Sequence, residues 1–260
     1  MDYQLTHRLA KDFASLDQPK GRRKLNLFVA EGDKCVGELL PAFECRMLFA
    51  LPEWIEKHRT ILQAYPAIEI VEANRGLLGQ ITRLTSTPPV IAFFKLPSDA
   101  EIPSPEYVKN NLTVALDCVQ DPGNLGTIMR CCDWMGVRTI IASPDTADAF
   151  SPKCIQASMG ATARVKVVYT PLSAYLSSLD RDIPVYGTFL DGENIYCRKL
   201  SNSGILLMGN EGRGISDAVA AHVTDRLLIP SYPPGENTVE SLNVAMATAI
   251  ALSCFRSTLF

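Results

Sequence analysis

Three short stretches carry residues whose types and spacing could do chemistry. The first runs from Asp117 to Arg130 and contains Asp121-Pro122-Gly123-Asn124-Leu125-Gly126. Asn124 is a good N-cap type, and a helix starting there buries Leu125, Ile128, Met129, Cys132 and Met135, with Gly136 as its stop. Asn124, Thr127 and Arg130 then form a polar row spaced by three, away from the buried stripe. The row presents an amide, a hydroxyl and a guanidinium, although a capped helix with solvated polar residues has the same spacing. The second stretch, Leu206 to Ile215, sets Gly209, Gly212 and Gly214 around Glu211. Glycines permit close backbone approach to a ligand, and a simple strand-to-helix turn would need no carboxylate. It is neither a Walker loop nor G-x-G-x-x-G. The third leaves Ile229-Pro230, crosses a proline-rich loop and enters an apolar helix near Ser241-Leu242-Asn243-Val244. Asn243 on such a helix needs hydrogen-bond partners, whether it serves a site or simply caps or braces the neighbouring loop.

These stretches fall at the ends of apolar runs, which must position them. Runs at Leu112 to Val119, Thr139 to Ala142, Val165 to Tyr169, Val185 to Phe189, Ile205 to Met208 and Arg226 to Ile229 predict six strands. They are apolar throughout rather than alternating, so both faces should be buried and the sheet should be mostly parallel. In such sheets ligands sit beyond the C-terminal strand ends. Further upstream, Leu25 to Ala30, Arg46 to Ala50, Ala67 to Val71 and Val90 to Leu96 read as strands, with helices after Asp33, Pro52 and Asn74. The stretch Leu96 to Pro105 holds three prolines and no apolar period. It divides the chain into residues 1–104, a small α/β domain, and residues 105–260.

Composition narrows the class. The 260 residues are 47% hydrophobic, enough for a full core without disulfides or a structural metal. The polar start from Met1 to Lys11 is unlike a signal peptide, and the longest apolar run, Val244 to Phe255, is too short to span a membrane. The eight cysteines include no C-x-x-C pair and the three histidines lie far apart. Reduced thiols in a cytoplasmic protein and no metal site are expected. The net charge of −3 argues against non-specific coating of nucleic acid, while Lys20, Arg22, Arg23 and Lys24 form one local basic cluster.

Taken in order, Asp121 to Gly126 with Arg130, Met208-Gly209-Asn210-Glu211-Gly212, and Ile229-Pro230 with Ser241-Leu242-Asn243-Val244 resemble the three signature motifs of the SpoU (TrmH) family of RNA ribose 2′-O-methyltransferases, within the SPOUT superfamily. The likeness covers most of residues 110 to 255. Arg22-Arg23-Lys24, Phe28 and Glu31-Gly32 also look like the family's substrate-binding extension, a small α/β domain. The loop Ser231 to Glu240 is several residues longer than the family pattern.

The resemblance implies a parallel sheet with a deep trefoil knot, a homodimer, and S-adenosylmethionine as cofactor. Its substrate would be a ribose 2′-hydroxyl in structured RNA, ribosomal RNA in preference to transfer RNA. A non-catalytic RNA-binding scaffold of the same fold is the alternative. Carried over residue by residue, Thr188, Phe189, Leu207, Met208, Gly209, Ile229 and Leu242 would hold the cofactor. Arg130 would clamp a phosphate and stabilise the forming oxyanion, because a guanidinium stays protonated and makes a poor general base. Asn124 and Asn243 would orient Arg130 and the ribose, and Glu211 would fix the loop or hold the arginine. Ser241 would cap the last helix and line the site, while Lys20, Arg22, Arg23 and Lys24 would contact RNA phosphates.

Overall fold

The computed structural model describes residues 7–98, 100–233, 236, 239 and 241–257. It divides into two compact units, residues 1–98 with 148–163, and residues 99–147 with 164–260.

In the first unit, helices α1 (His7–Ser15) and α2 (Pro19–Leu25) precede strand β1 (Leu27–Glu31) and helix α3 (Asp33–Leu39). Strand β2 (Cys45–Ala50), helices α4 (Pro52–Lys57) and α5 (Arg59–Gln63), strand β3 (Glu69–Glu72), helix α6 (Arg75–Ile81) and strand β4 (Val90–Lys95) follow. The sheet order is β1-β4-β2-β3, with β4 antiparallel to both neighbours and β2 parallel to β3. Side chains alternate across this sheet. Phe28, Leu48, Ala92 and Phe94 pack in one core, and Val29, Phe49, Ile91 and Phe93 in the other.

The second unit holds helix α7 (Pro105–Asn110), strand β5 (Leu112–Leu116), helix α8 (Pro122–Trp134) and strand β6 (Thr139–Ala142). The chain then makes helix α9 (Pro152–Ser158) and returns through strand β7 (Lys166–Tyr169), helix α10 (Leu172–Ser177) and strand β8 (Val185–Asn194). Strand β9 (Gly204–Met208), helix α11 (Asp217–Ala220), strand β10 (Asp225–Leu228) and helix α12 (Val244–Ser257) complete it. The six strands order β10-β8-β9-β5-β6-β7 and every pair is parallel, as the unalternating apolar runs require. Strand β8 outruns its predicted end at Phe189. Tyr186 and Gly187 pair with Asp225 and Arg226, then Glu193 and Asn194 with Leu227 and Leu228, so residues 188–192 bow out of the ladder. No helix among the described residues is long and apolar enough to cross a membrane.

A single cut near residue 105 misses one piece of the fold. Residues 148–163, between β6 and β7, pack with the first unit. Phe150 packs tilted against Phe28 and edge-on against Phe43, and Ile155 enters the first core.

Arg22 belongs to the same packing. It is 2% exposed, donates to the Leu16 carbonyl at 2.6 Å and forms an ion pair with Asp148. That corrects its expected role as an RNA-contacting residue, since a guanidinium already paired inside a core cannot reach a phosphate. Lys20, Arg23 and Lys24 remain exposed on α2. Arg22→Met should lower unfolding stability by roughly 2–3 kcal/mol, less than for a fully buried pair because Asp148 can recover water. Denaturant melts measure that loss. An unchanged midpoint, or a changed salt dependence of RNA binding, would contradict the buried role.

Candidate active site

The three motif stretches meet at the C-terminal ends of β5, β9, β8 and β10. Strand β5 ends at Leu116, and Cys118 turns the chain in the left-handed region at φ 60°. That turn is fixed from both sides: the Cys118 N–H donates to Ser143 Oγ at 2.8 Å, and its carbonyl accepts from Asn210 Nδ2 at 2.8 Å. Asp121, not Asn124, caps α8. Its carboxylate accepts from the Asn124 N–H at 2.9 Å, with Pro122 in the first helical turn. The earlier start leaves the Asn124 side chain free.

Asn124 Nδ2 donates to Glu211 Oε1 at 2.7 Å, and Asn124 Oδ1 accepts from Asn243 Nδ2 at 2.9 Å. Asn243 Oδ1 accepts from the N–H groups of Ala245 and Met246 at 3.0 and 3.3 Å. Asn243 therefore caps α12, two residues later than the expected cap at Ser241, which is exposed and makes no hydrogen bond among the described residues. A carboxylate only accepts, so Glu211 dictates that the Asn124 nitrogen faces it. The Asn124 oxygen must then face Asn243, whose own oxygen is left for the helix. One charge sets the orientation of two amides.

Glu211 is held by its own loop. Asn210 and Gly214 exchange N–H···O bonds at 2.9 Å, and Asn210 Oδ1 accepts from Gly212 and Arg213 at 3.0 and 3.1 Å. Buried Asp117 accepts from the Ser216 N–H at 2.7 Å and fastens the far end of the loop to β5. A Cβ on Gly209 would lie 2.3 Å from the Gly214 carbonyl carbon and 2.4 Å from the Ile215 nitrogen. Glycine is thus required here by the loop folding on itself.

Helices α8 and α12 run side by side in the same direction. Asn124 and Asn243 join their starts, and Arg256 Nε donates to the Met135 carbonyl at 2.9 Å at their ends. Arg130 lies two turns along α8 from Asn124, exposed and without a hydrogen bond or ion pair among the described residues. Of the two roles expected of Glu211, fixing the loop or holding the arginine, the structure shows it bonded to Asn124 and not to Arg130. Thr127, between them, donates to the Gly123 carbonyl at 2.9 Å.

The expected cofactor residues occupy neighbouring strand ends. Gly187 of β8 pairs with both Leu207 of β9 and Arg226 of β10. This brings Thr188, Phe189, Leu207, Met208 and Ile229 to one edge, where Thr188 Oγ1 donates to Met208 Sδ at 3.8 Å. Phe189 is covered by the Arg226 guanidinium, 3.5 Å above its ring, and Asp191 pairs with that guanidinium. Ile229 and Leu242 leave their backbone polar groups without partners among the described residues, and the Leu242 side chain is exposed. Free backbone donors and acceptors beside apolar surface suit the adenosine part of S-adenosylmethionine.

Sequence reasoning overlooked Asp117, Asp121 and Asn210 as supports, and Arg226 over Phe189. Only the first-turn Pro122 hinted at the Asp121 cap. The others act across 92 or 99 residues or between strands, where no local spacing signals them.

A family model described as the SpoU rRNA methylase family matches residues 111–253, and one described as an MRM3-like substrate-binding domain matches residues 9–92. A 23S rRNA (guanosine(2553)-2′-O)-methyltransferase of Bacillus subtilis is 31% identical over 244 residues, 92% of each chain. A solved TrmH-family structure from Porphyromonas gingivalis is 42% identical with a TM-score of 0.84, covering 98% of this chain and 100% of that one. An AdoMet-bound rRNA methyltransferase from Sinorhizobium meliloti has a TM-score of 0.84 at 29% identity, covering 99% and 97%.

Proposed function

Because the chain belongs to the SpoU rRNA methylase family, we propose that it transfers a methyl group from S-adenosylmethionine to a ribose 2′-hydroxyl of ribosomal RNA, acting as a cytoplasmic homodimer. The observation that carries the proposal is the Glu211–Asn124–Asn243 chain at the strand ends, with the unpaired Arg130 two turns along the same helix. Ribosomal RNA is preferred over transfer RNA because the Bacillus subtilis relative is named for 23S rRNA and the Sinorhizobium meliloti structure for rRNA.

S-adenosylmethionine, when bound, supplies an electrophilic methyl group on a sulfonium. Thr188, Phe189, Leu207, Met208, Gly209, Ile229 and Leu242 bind it, chiefly through backbone groups. A ribose hydroxyl is a poor nucleophile, so positioning and charge stabilisation must do most of the work. Asn124 and Asn243, each fixed by the orientation Glu211 imposes, present their second amide hydrogens to the ribose. Arg130 contacts the adjacent phosphate and stabilises the oxygen as it loses its proton, remaining protonated throughout. Ser241 lines the entrance. Each methyl transferred releases one proton overall. In the SPOUT fold the C-terminal segment would thread the trefoil knot; Pro234, Gly235, Asn237, Thr238 and Glu240 of the long loop lie outside the described residues.

The homodimer reading rests on two large apolar side chains left exposed on these helices, Trp134, 87% exposed at the end of α8, and Met246, 57% exposed near the start of α12.

The test is methyl-labelled S-adenosylmethionine with, separately, deproteinised ribosomal and transfer RNA, followed by mapping of the labelled nucleotide. Label at one ribose 2′-position in ribosomal RNA is expected. Label in transfer RNA alone would move the substrate, and measurable cofactor binding with no label in either RNA would make the chain a binding scaffold.

A further inference from the structure

Resting on the methyltransferase reading, we propose that Arg213 is a second substrate contact, whose guanidinium binds an RNA phosphate beside the target ribose. Its backbone is fixed by the loop that fixes Glu211. The Arg213 N–H donates to Asn210 Oδ1 at 3.1 Å, and the Asn210 amide also holds the Cys118 carbonyl at 2.8 Å. Only Gly212 separates Arg213 from Glu211, so the loop sets the positions of carboxylate and arginine together.

The Arg213 side chain is exposed and has no hydrogen bond or ion pair among the described residues. Most other arginines of this unit are already held. Arg138 and Arg164 pair with Asp133, Arg198 and Arg226 pair with carboxylates, and Arg256 donates to a carbonyl. Only Arg130, Arg181 and Arg213 in the unit have no partner among the described residues. Arg181 precedes β8, at the opposite, N-terminal edge of the sheet.

Charge gives the free arginine a purpose. The loops that build the site carry Asp117, Asp121, Asp145 and Glu211, and the whole chain is net negative, a field that repels a polyanion. The Cys118 thiol registers this local balance. Burial and then Asp145 push it up, with smaller contributions from Asp117 and Glu211, while Arg213 pulls it down. The Arg213 charge therefore reaches the β5–α8 turn as well as its own loop. A guanidinium is the side chain best suited to grip a phosphate with two parallel hydrogen bonds. Arg130 and Arg213 would then hold the RNA backbone from two sides of the Glu211–Asn124–Asn243 chain.

The test compares the wild-type chain with Arg213→Ala, Arg213→Lys and Arg181→Ala on an unmethylated 23S rRNA transcript. Binding is followed from roughly 50 to 200 mM salt, alongside methyl transfer and calorimetric S-adenosylmethionine affinity. Arg213→Ala should raise KM for RNA about tenfold and reduce the logarithmic salt slope of binding by about 1. Cofactor affinity should stay unchanged. Arg213→Lys should keep the slope and recover part of KM, and Arg181→Ala should match wild type. An unchanged slope and KM in Arg213→Ala would overturn the inference. So would a loss confined to cofactor affinity, which would place Arg213 on the methionine carboxylate. Failure of the wild-type chain to methylate any RNA overturns the methyltransferase reading instead, and the binding slopes still judge Arg213.

Discussion

Arg130→Ala is expected to cut the methyl-transfer rate by about a hundredfold or more, on the order of 3 kcal/mol of transition-state stabilisation. Affinity for S-adenosylmethionine should be unchanged. The expectation follows from where the guanidinium stands. It is exposed, carries no partner among the described residues, and lies on the face of α8 that begins with Asn124. Removing it breaks no ion pair and opens no cavity, so the melting temperature should not move. A rate loss without a stability loss is the mark of an interaction made with the substrate alone. Single-turnover methylation at saturating RNA separates this from weaker binding. A fall in melting temperature of several degrees, or a wild-type single-turnover rate, would remove Arg130 from the chemistry.

Gly209→Ala should be the most damaging single added methyl group in the Glu211 loop. The added carbon would sit 2.3 to 2.5 Å from backbone atoms of Gly214 and Ile215, none of which can swing away like a side-chain end. The loop must therefore shift, at roughly 3 kcal/mol or more. Because Glu211 lies two residues along, its bond to Asn124 moves too, and a displacement of about 1 Å at such a site costs about a hundredfold in kcat/KM. Gly212→Ala is the control from the same loop, since its added carbon would meet only Asn210 Oδ1, at 3.7 Å. It should change stability by less than about 0.5 kcal/mol. Thermal melts with and without S-adenosylmethionine, beside kcat/KM, distinguish the two; equal behaviour would mean the loop is looser than its hydrogen bonds imply.

Much of this was legible in the sequence, and the reasons are local. Apolar runs without alternation gave the parallel sheet, because a strand buried on both faces has no polar positions to show. Each of the ten strands among the described residues falls on an apolar run, and the motif residues Asn124, Glu211 and Asn243 stand out by their positions after strands. Errors arose where one side chain can serve a terminus in place of another. Asp121 takes the capping role expected of Asn124, and Asn243, itself a possible cap, takes the one the resemblance gives to Ser241. Capping preference ranks residue types, and several suitable types stood within a few positions of each start.

What the sequence by itself determined is therefore the set of elements, their parallel arrangement and the residues at strand ends where chemistry gathers. Propensity, periodicity and punctuation act over a few residues and are written in order along the chain. The tertiary structure alone decided which of those residues meet. It joined Glu211 to Asn124 and Asn124 to Asn243, left Arg130 and Arg213 free, and folded residues 148–163 into the first unit. It also turned Arg22 from a basic surface residue into the buried partner of Asp148. Those outcomes depend on hydrogen bonds and ion pairs between residues as many as 126 positions apart, which form only once the packed chain removes the alternatives that water offers each group.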